Sequence, residues 1–207
     1  MRLVDSLADQ VTLEFILEES KPALPPDTAW LHYLLATPFR YRPYLGSRFR
    51  AALDAGVWYG AEQLRTALAE KSYWRLRFLL DSPNTPALGP VPHTAFTASL
   101  RAPALDLTAD PLARDRALWT DPVSYAATQV LAGIAREAAL SLIRYESVRD
   151  PEHGRCLAAL APGAFHRPAP KRQEGWFIAA GRERVRCAQD LRSGAGWEFT
   201  REQLVRT

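Results

Sequence analysis

Residues 37–74 read TPFRYRPYLGSRFRAALDAGVWYGAEQLRTALAEKSYW. The first half is dense in Pro, Gly and Arg, which predicts a loop with short extended pieces over 37–55. Gly56-Val57-Trp58-Tyr59-Gly60 is an apolar run bounded by glycines and predicts a strand with Tyr59 at its end. From Ala61 to Phe78, Leu64, Ala67, Leu68, Trp74 and Phe78 predict the apolar stripe of a helix, with Lys71 falling awkwardly inside it. At about 100° per residue, Glu70 lies between Thr66 and Trp74 on the shoulder of that stripe, where a carboxylate can be partly buried and still meet a cleft. Turn, strand and helix in this order gather an arginine fork, a tyrosine ring and a carboxylate.

Outward from this stretch, residues 3–19 read as an amphipathic helix on Leu3, Leu7, Val11, Phe15 and Ile16, closed by Lys21-Pro22. This helix is expected to pack on the main domain or on a partner, and Pro25-Pro26 follows as a stiff connector. Leu31 to Leu35 is a short apolar element of either kind. Four prolines at 83, 86, 90 and 92 predict an irregular segment over 81–93, and the alternation from Thr94 to Leu107 suggests strands. Asp121-Pro122 carries the signature of a helix start, with Val123, Ala126, Ala127, Val130, Ile134 and Ala138 as its inner face. Leu142–Val148 and Cys156–Leu160 read as strands across the turn 150–154, and Trp176–Ala180 with Arg184–Ala188 as a hairpin across Gly181. The class is α+β, with helices against small, mainly antiparallel sheets. Residues 1–30 form a helix and connector, and 31–207 a single domain.

The 207 residues suit one core, and 47% hydrophobic with 24% charged residues is ordinary for a folded chain. The net charge of +3 is mild, and its arginines are spread along the chain rather than gathered in a stripe. A small anionic ligand accounts for them, and no direct nucleic-acid contact is expected. Cys156 and Cys187 have no zinc-like spacing and are expected as reduced, partly buried thiols; the four histidines form no close pair, so no metal is expected. Asp5 and Asp9 interrupt any signal-peptide core, and no apolar run approaches the ~18 residues of a membrane span. A cytoplasmic chain with no membrane contact is therefore expected.

The candidate site residues are Arg48, Tyr59, Glu70, Ser147 and Arg149. Each has an ordinary reading when taken alone: a loop arginine as a solvated charge, a strand tyrosine as core, a helix glutamate as a surface group, a serine as an edge residue. Together they suit a phosphorylated, charged ligand. Gly46-Ser47 before Arg48 would let the backbone approach such a ligand, and Arg can grip a pyrophosphate with two parallel hydrogen bonds. There is neither a Walker-type nor a dinucleotide-fold glycine loop, and no nucleophilic triad can be read.

Gly46-Ser47-Arg48-Phe49, then Val57-Trp58-Tyr59, then Ala67-Leu68-Ala69-Glu70, and later Tyr145-Glu146-Ser147-Val148-Arg149 resemble the motifs of the RES-domain family, over roughly residues 37–200. Glu146 stands where the family's serine motif has proline, and Arg50 where its first motif often has asparagine. The resemblance implies a fold similar to ADP-ribosyltransferase toxins, NAD⁺ as substrate, and membership of toxin–antitoxin pairs whose helical, Xre-like antitoxin covers the cleft. Homo-oligomerisation stays open.

The chemistry fits these residue types. Nicotinamide in NAD⁺ is already a cationic leaving group, so one carboxylate can suffice where a glycosidase uses two. Glu70 would stabilise the ribosyl cation, with Arg48 on phosphates or ribose, Tyr59 stacked on nicotinamide, and Ser147 and Arg149 holding the ligand. Hydrolysis or phosphorolysis of NAD⁺ is the first expectation. The alternatives are ADP-ribosylation of a macromolecule, and an inactive protein- or nucleic-acid-binding module.

Overall fold

The computed structural model describes residues 6–190 and 196–205. In chain order it contains α1 (Leu7–Glu19), α2 (Tyr33–Arg40), β1 (Trp58–Ala61), α3 (Leu64–Leu80), β2 (Ala87–Phe96), β3 (Ala104–Asp106), α4 (Arg116–Trp119), α5 (Ala126–Glu137), β4 (Leu142–Glu146), β5 (Arg155–Ala159), β6 (Gln173–Gly181), β7 (Arg184–Ala188), β8 (Gly196–Thr200) and α6 (Arg201–Leu204). Two four-stranded sheets form, ordered β1-β5-β4-β3 and β2-β6-β7-β8, and all pairings but β3 with β4 are antiparallel. The fold is α+β.

Period-two alternation places the first sheet between two helices. Ile143, Tyr145, Cys156 and Ala158 pack with Ala132 and Ala135 of α5, whereas Leu142 and Ala159 pack with Leu35, Ala36 and Phe39 of α2. The second sheet backs α3: Leu68, Tyr73, Leu76 and Leu79 meet Trp176, Ile178, Val185 and Phe199. Helix α3 therefore lies on the second sheet while its first turns abut the first, and the site forms at that junction.

Several expectations change. Residues 81–93 are not irregular throughout: β2 runs through both Pro90 and Pro92 and pairs with β6, with a register shift between Leu88 and Val91. It is an edge strand, where a residue without an N–H costs no ladder bond on its outer side. Thr37 to Arg40 belongs to α2 rather than to a loop. In α3, Trp74 and Phe78 are 53% and 64% exposed, and the buried set is Thr66, Leu68, Ala69, Ser72, Tyr73, Leu76 and Leu79. The helix is contacted from two sides, by the second sheet and by the turn at Asp150, so its buried face is wider and rotated. Asp121 caps only a turn, through Val123 N and Ser124 N, and α5 starts five residues later at Ala126. That helix packs through small residues, Thr128, Ala132 and Ala135, which bring it close enough for Gln129 to reach the carbonyls of Ser47 and Arg50; Val123, Val130 and Ile134 face outward.

Helix α1 buries none of its residues and is tied to α2 by Arg40, which bonds Glu18 at 2.6 Å and the carbonyl of Pro22. The expected packing of this helix on the domain is thus confined to its C-terminal end, and Leu3 lies outside the described residues. Both cysteines are free and buried. Among the described residues no helix is long and apolar enough to cross a membrane, and no cluster of His, Cys, Asp and Glu could hold a metal ion.

Candidate active site

A cavity of about 290 Å³ opens between β1, the first half of α3 and the end of β4, with Arg48, Tyr59, Glu70, Tyr73, Tyr145 and Arg149 among its lining. Four of the five residues singled out from sequence line it, and the fifth, Ser147, is fully buried behind Glu70.

Ser147 follows β4 directly. Its hydroxyl donates to Glu70 Oε1 at 2.6 Å and accepts the backbone N–H groups of Arg149 (3.2 Å) and Asp150 (2.9 Å). Its one proton is committed to the carboxylate, so it orients Glu70 rather than offering a donor to a ligand. Burial pushes the Glu70 carboxyl above its ordinary range; the Ser147 donor and the charges of Arg48 and Arg149 pull it back, and Asp150 adds to the rise.

The two arginines are buried and braced by the chain. Arg48 donates from Nη1 to the carbonyl of Trp119 (2.9 Å) and from Nη2 to that of Asp121 (3.0 Å), with its guanidinium 4.7 Å from the centre of the Tyr125 ring. Arg149 donates from Nη2 to the carbonyl of Pro122 at 2.7 Å and lies 3.8 Å over Tyr73. Flat aromatic supports and fixed carbonyls hold both planar groups at the cavity.

The Tyr59 hydroxyl accepts from the backbone N–H of Phe49 at 3.0 Å and pairs with Ser47 Oγ at 2.8 Å, and burial of this end raises its pKa. It fastens β1 to the turn before Arg48, while the side chain stays 37% exposed along the cavity. At Gly46 a Cβ would meet Gln129 Nε2 at 2.7 Å and the Arg50 carbonyl at 3.1 Å, so the glycine serves the turn's contact with α5. Arg50 turns away from the cavity and bonds the carbonyls of Pro43, Leu45 and Ala51. Arg144 likewise stays outside the site, bridging Glu62 at 2.6 Å and Asp106 at 3.0 Å.

Asp150 anchors the turn that carries Arg149. Its buried carboxylate accepts from Arg65 Nη1 (2.5 Å), Thr66 Oγ1 (2.7 Å) and the N–H of Glu152 (3.1 Å). Sequence reasoning missed this anchor, as it missed Tyr73 and Tyr125. Tyr73 lies one helical turn after Glu70, a findable signal. Tyr125 had none, because only the fold brings it beneath Arg48.

A sequence model of the RES domain matches residues 25–179, three quarters of the chain, from the Pro-rich connector into β6. The chain belongs to the RES-domain family. The family is NAD-related and belongs to the context of toxin–antitoxin systems. Comparison with curated proteins gives no match. The matched stretch holds every lining residue of the RES cavity, whereas β7, β8 and α6 lie beyond it.

Proposed function

We propose that this chain consumes NAD⁺ by cleaving the bond between nicotinamide and ribose, with water or phosphate capturing the ribosyl group. The observation that carries this reading is the single carboxylate, Glu70, held by Ser147 in a cavity between two buried arginines. As the bond breaks, electrons move to the nicotinamide ring, which leaves neutral, and positive charge develops on the ribosyl carbon. A fixed carboxylate stabilises that charge without reorganising. The N–H groups of Arg48 and Arg149 not engaged by carbonyls are available to the pyrophosphate, and the Tyr59 ring offers a face to nicotinamide. This reading carries with it an ADP-ribosyltransferase-like descent for the two-sheet architecture and a helical Xre-like partner that inhibits by covering the mouth, where Lys71 and Trp74 are exposed.

The test is release of nicotinamide from NAD⁺ by the purified chain, in phosphate and in phosphate-free buffer. Phosphate-dependent release identifies phosphorolysis and equal release identifies hydrolysis. Transfer of label from NAD⁺ to protein or nucleic acid in place of either would assign the chain to macromolecular ADP-ribosylation, and no consumption of NAD⁺ would overturn the reading.

A further inference from the structure

Both cavity arginines rest on one short piece of chain. Arg48 uses the carbonyls of Trp119 and Asp121, and Arg149 that of Pro122. The piece begins with α4, four residues long, and a single turn of helix is too short to hold its own shape. Its first residue, Arg116, is held by a two-pronged ion pair: Nε donates to Glu146 Oε2 at 2.9 Å and Nη2 to Oε1. The Glu146 side chain is only 11% exposed and also pairs with Arg155, whose Nη1 lies 3.5 Å from Oε2. Glu146 closes β4 immediately before Ser147.

We propose that Glu146 is a positioning residue for substrate binding. Through Arg116 it holds residues 116–122 in place, and through their carbonyls it sets the guanidinium groups of Arg48 and Arg149. The inference rests on the reading that these arginines grip NAD⁺. This Glu146–Arg116 staple ties the strand that orients the carboxylate to the segment that orients the cations, so the two halves of the site keep their spacing.

The experiment uses the full chain. In a Glu70→Gln background, calorimetry measures NAD⁺ affinity for Arg116→Ala, Arg116→Lys and Glu146→Gln; turnover is measured for the same changes with Glu70 intact. Arg116→Ala and Glu146→Gln should weaken NAD⁺ binding and raise KM by about 10-fold, inside the ~10²-fold cost of a roughly 1 Å misplacement, with kcat near that of the parent. Arg116→Lys, which keeps the charge but not the fork, should restore only part of the loss. An ion pair so exposed on its arginine side adds little to stability, so Tm should hardly move. Combined with Arg48→Lys, Arg116→Ala should cost less than the product of the two separate losses, because both act through one group. Hydrogen exchange across residues 116–125 should quicken in Arg116→Ala. Independent, multiplicative losses, a fall in kcat with KM unchanged, or unchanged exchange across 116–125 would each overturn the proposal. Should the parent neither bind nor cleave NAD⁺, the reading of the site falls, and the exchange rates alone still decide whether the staple exists.

Discussion

Burial raises the Glu70 pKa against the pull of Ser147 and two arginines, and this has consequences for both rate and stability. The cation is stabilised only by the ionised carboxylate, so kcat/KM for NAD⁺ should rise with pH through a midpoint above the ordinary carboxyl value of about 4. Glu70→Gln should lose that limb of the profile and about 10²-fold or more in cleavage, the scale of one preorganised electrostatic group. For stability, the folded chain binds this proton more tightly than the unfolded chain does. The contribution is therefore present below the unfolded pKa and lost as pH rises through the raised folded pKa. Glu70→Gln keeps an acceptor for Ser147 and removes the buried charge, so its Tm should exceed the parent's at neutral pH and the gap should close in acid. Melts that coincide at every pH would mean that the carboxylate is not desolvated. Arg48→Lys keeps a charge but loses the planar fork whose two ends reach separate carbonyls while facing a phosphate. It should weaken NAD⁺ binding by about 10- to 100-fold, the worth of one charge-assisted hydrogen bond of about 1.5–3 kcal/mol. Titration calorimetry in the Glu70→Gln background reads this directly.

At the scale of elements, the turn 150–154 and the start of α3 meet without spare room. A Cβ on Gly154 would lie 2.1 Å from Thr66 Oγ1 and 2.7 Å from Asp150 Oδ2. Gly154→Ala must break the Thr66–Asp150 bond, at a cost of about 1–3 kcal/mol, and shift Arg149. A Tm lowered by roughly 2–4 °C per kcal/mol would register it, and pairing with Thr66→Ala should cost less than the sum of the separate changes. Elements were legible where one physical signal dominated. The apolar run between Gly56 and Gly60 marked β1, which runs on through Gly60 to Ala61; β4 through β7 fell on runs read as strands, and the order turn, strand, helix put Tyr59 and Glu70 beside one cavity. They were illegible where tertiary contacts chose among equals. Nothing local tells α5 to bury Thr128 and Ala132 rather than Val130 and Ile134, because that choice follows from how closely the first sheet must approach. Nor do the prolines at 90 and 92 announce a strand, since only the sheet order makes theirs an edge. The braces of the arginines were hidden for the same reason: backbone carbonyls at 119, 121 and 122 carry no sequence signature.

At the scale of the molecule, a cavity that no element covers among the described residues has a cellular consequence. Expressed alone, the chain should lower cellular NAD⁺ and stop growth, and Glu70→Gln should do neither. Arrest by both versions would point to an effect unrelated to catalysis. The second sheet adds a different consequence through its β2 edge. Pro92 pairs with Phe177 of β6 and Pro90 lies in the register shift beside it, and neither nitrogen carries a hydrogen. A strand from another molecule arriving at that border meets two missing donors in three residues, so intermolecular sheet growth has no template there. Restoring the donors with Pro90→Thr and Pro92→Thr should leave the fold intact yet increase light scattering during refolding at high concentration, a measurement in which the proline pair acts as a guard against amyloid-like stacking.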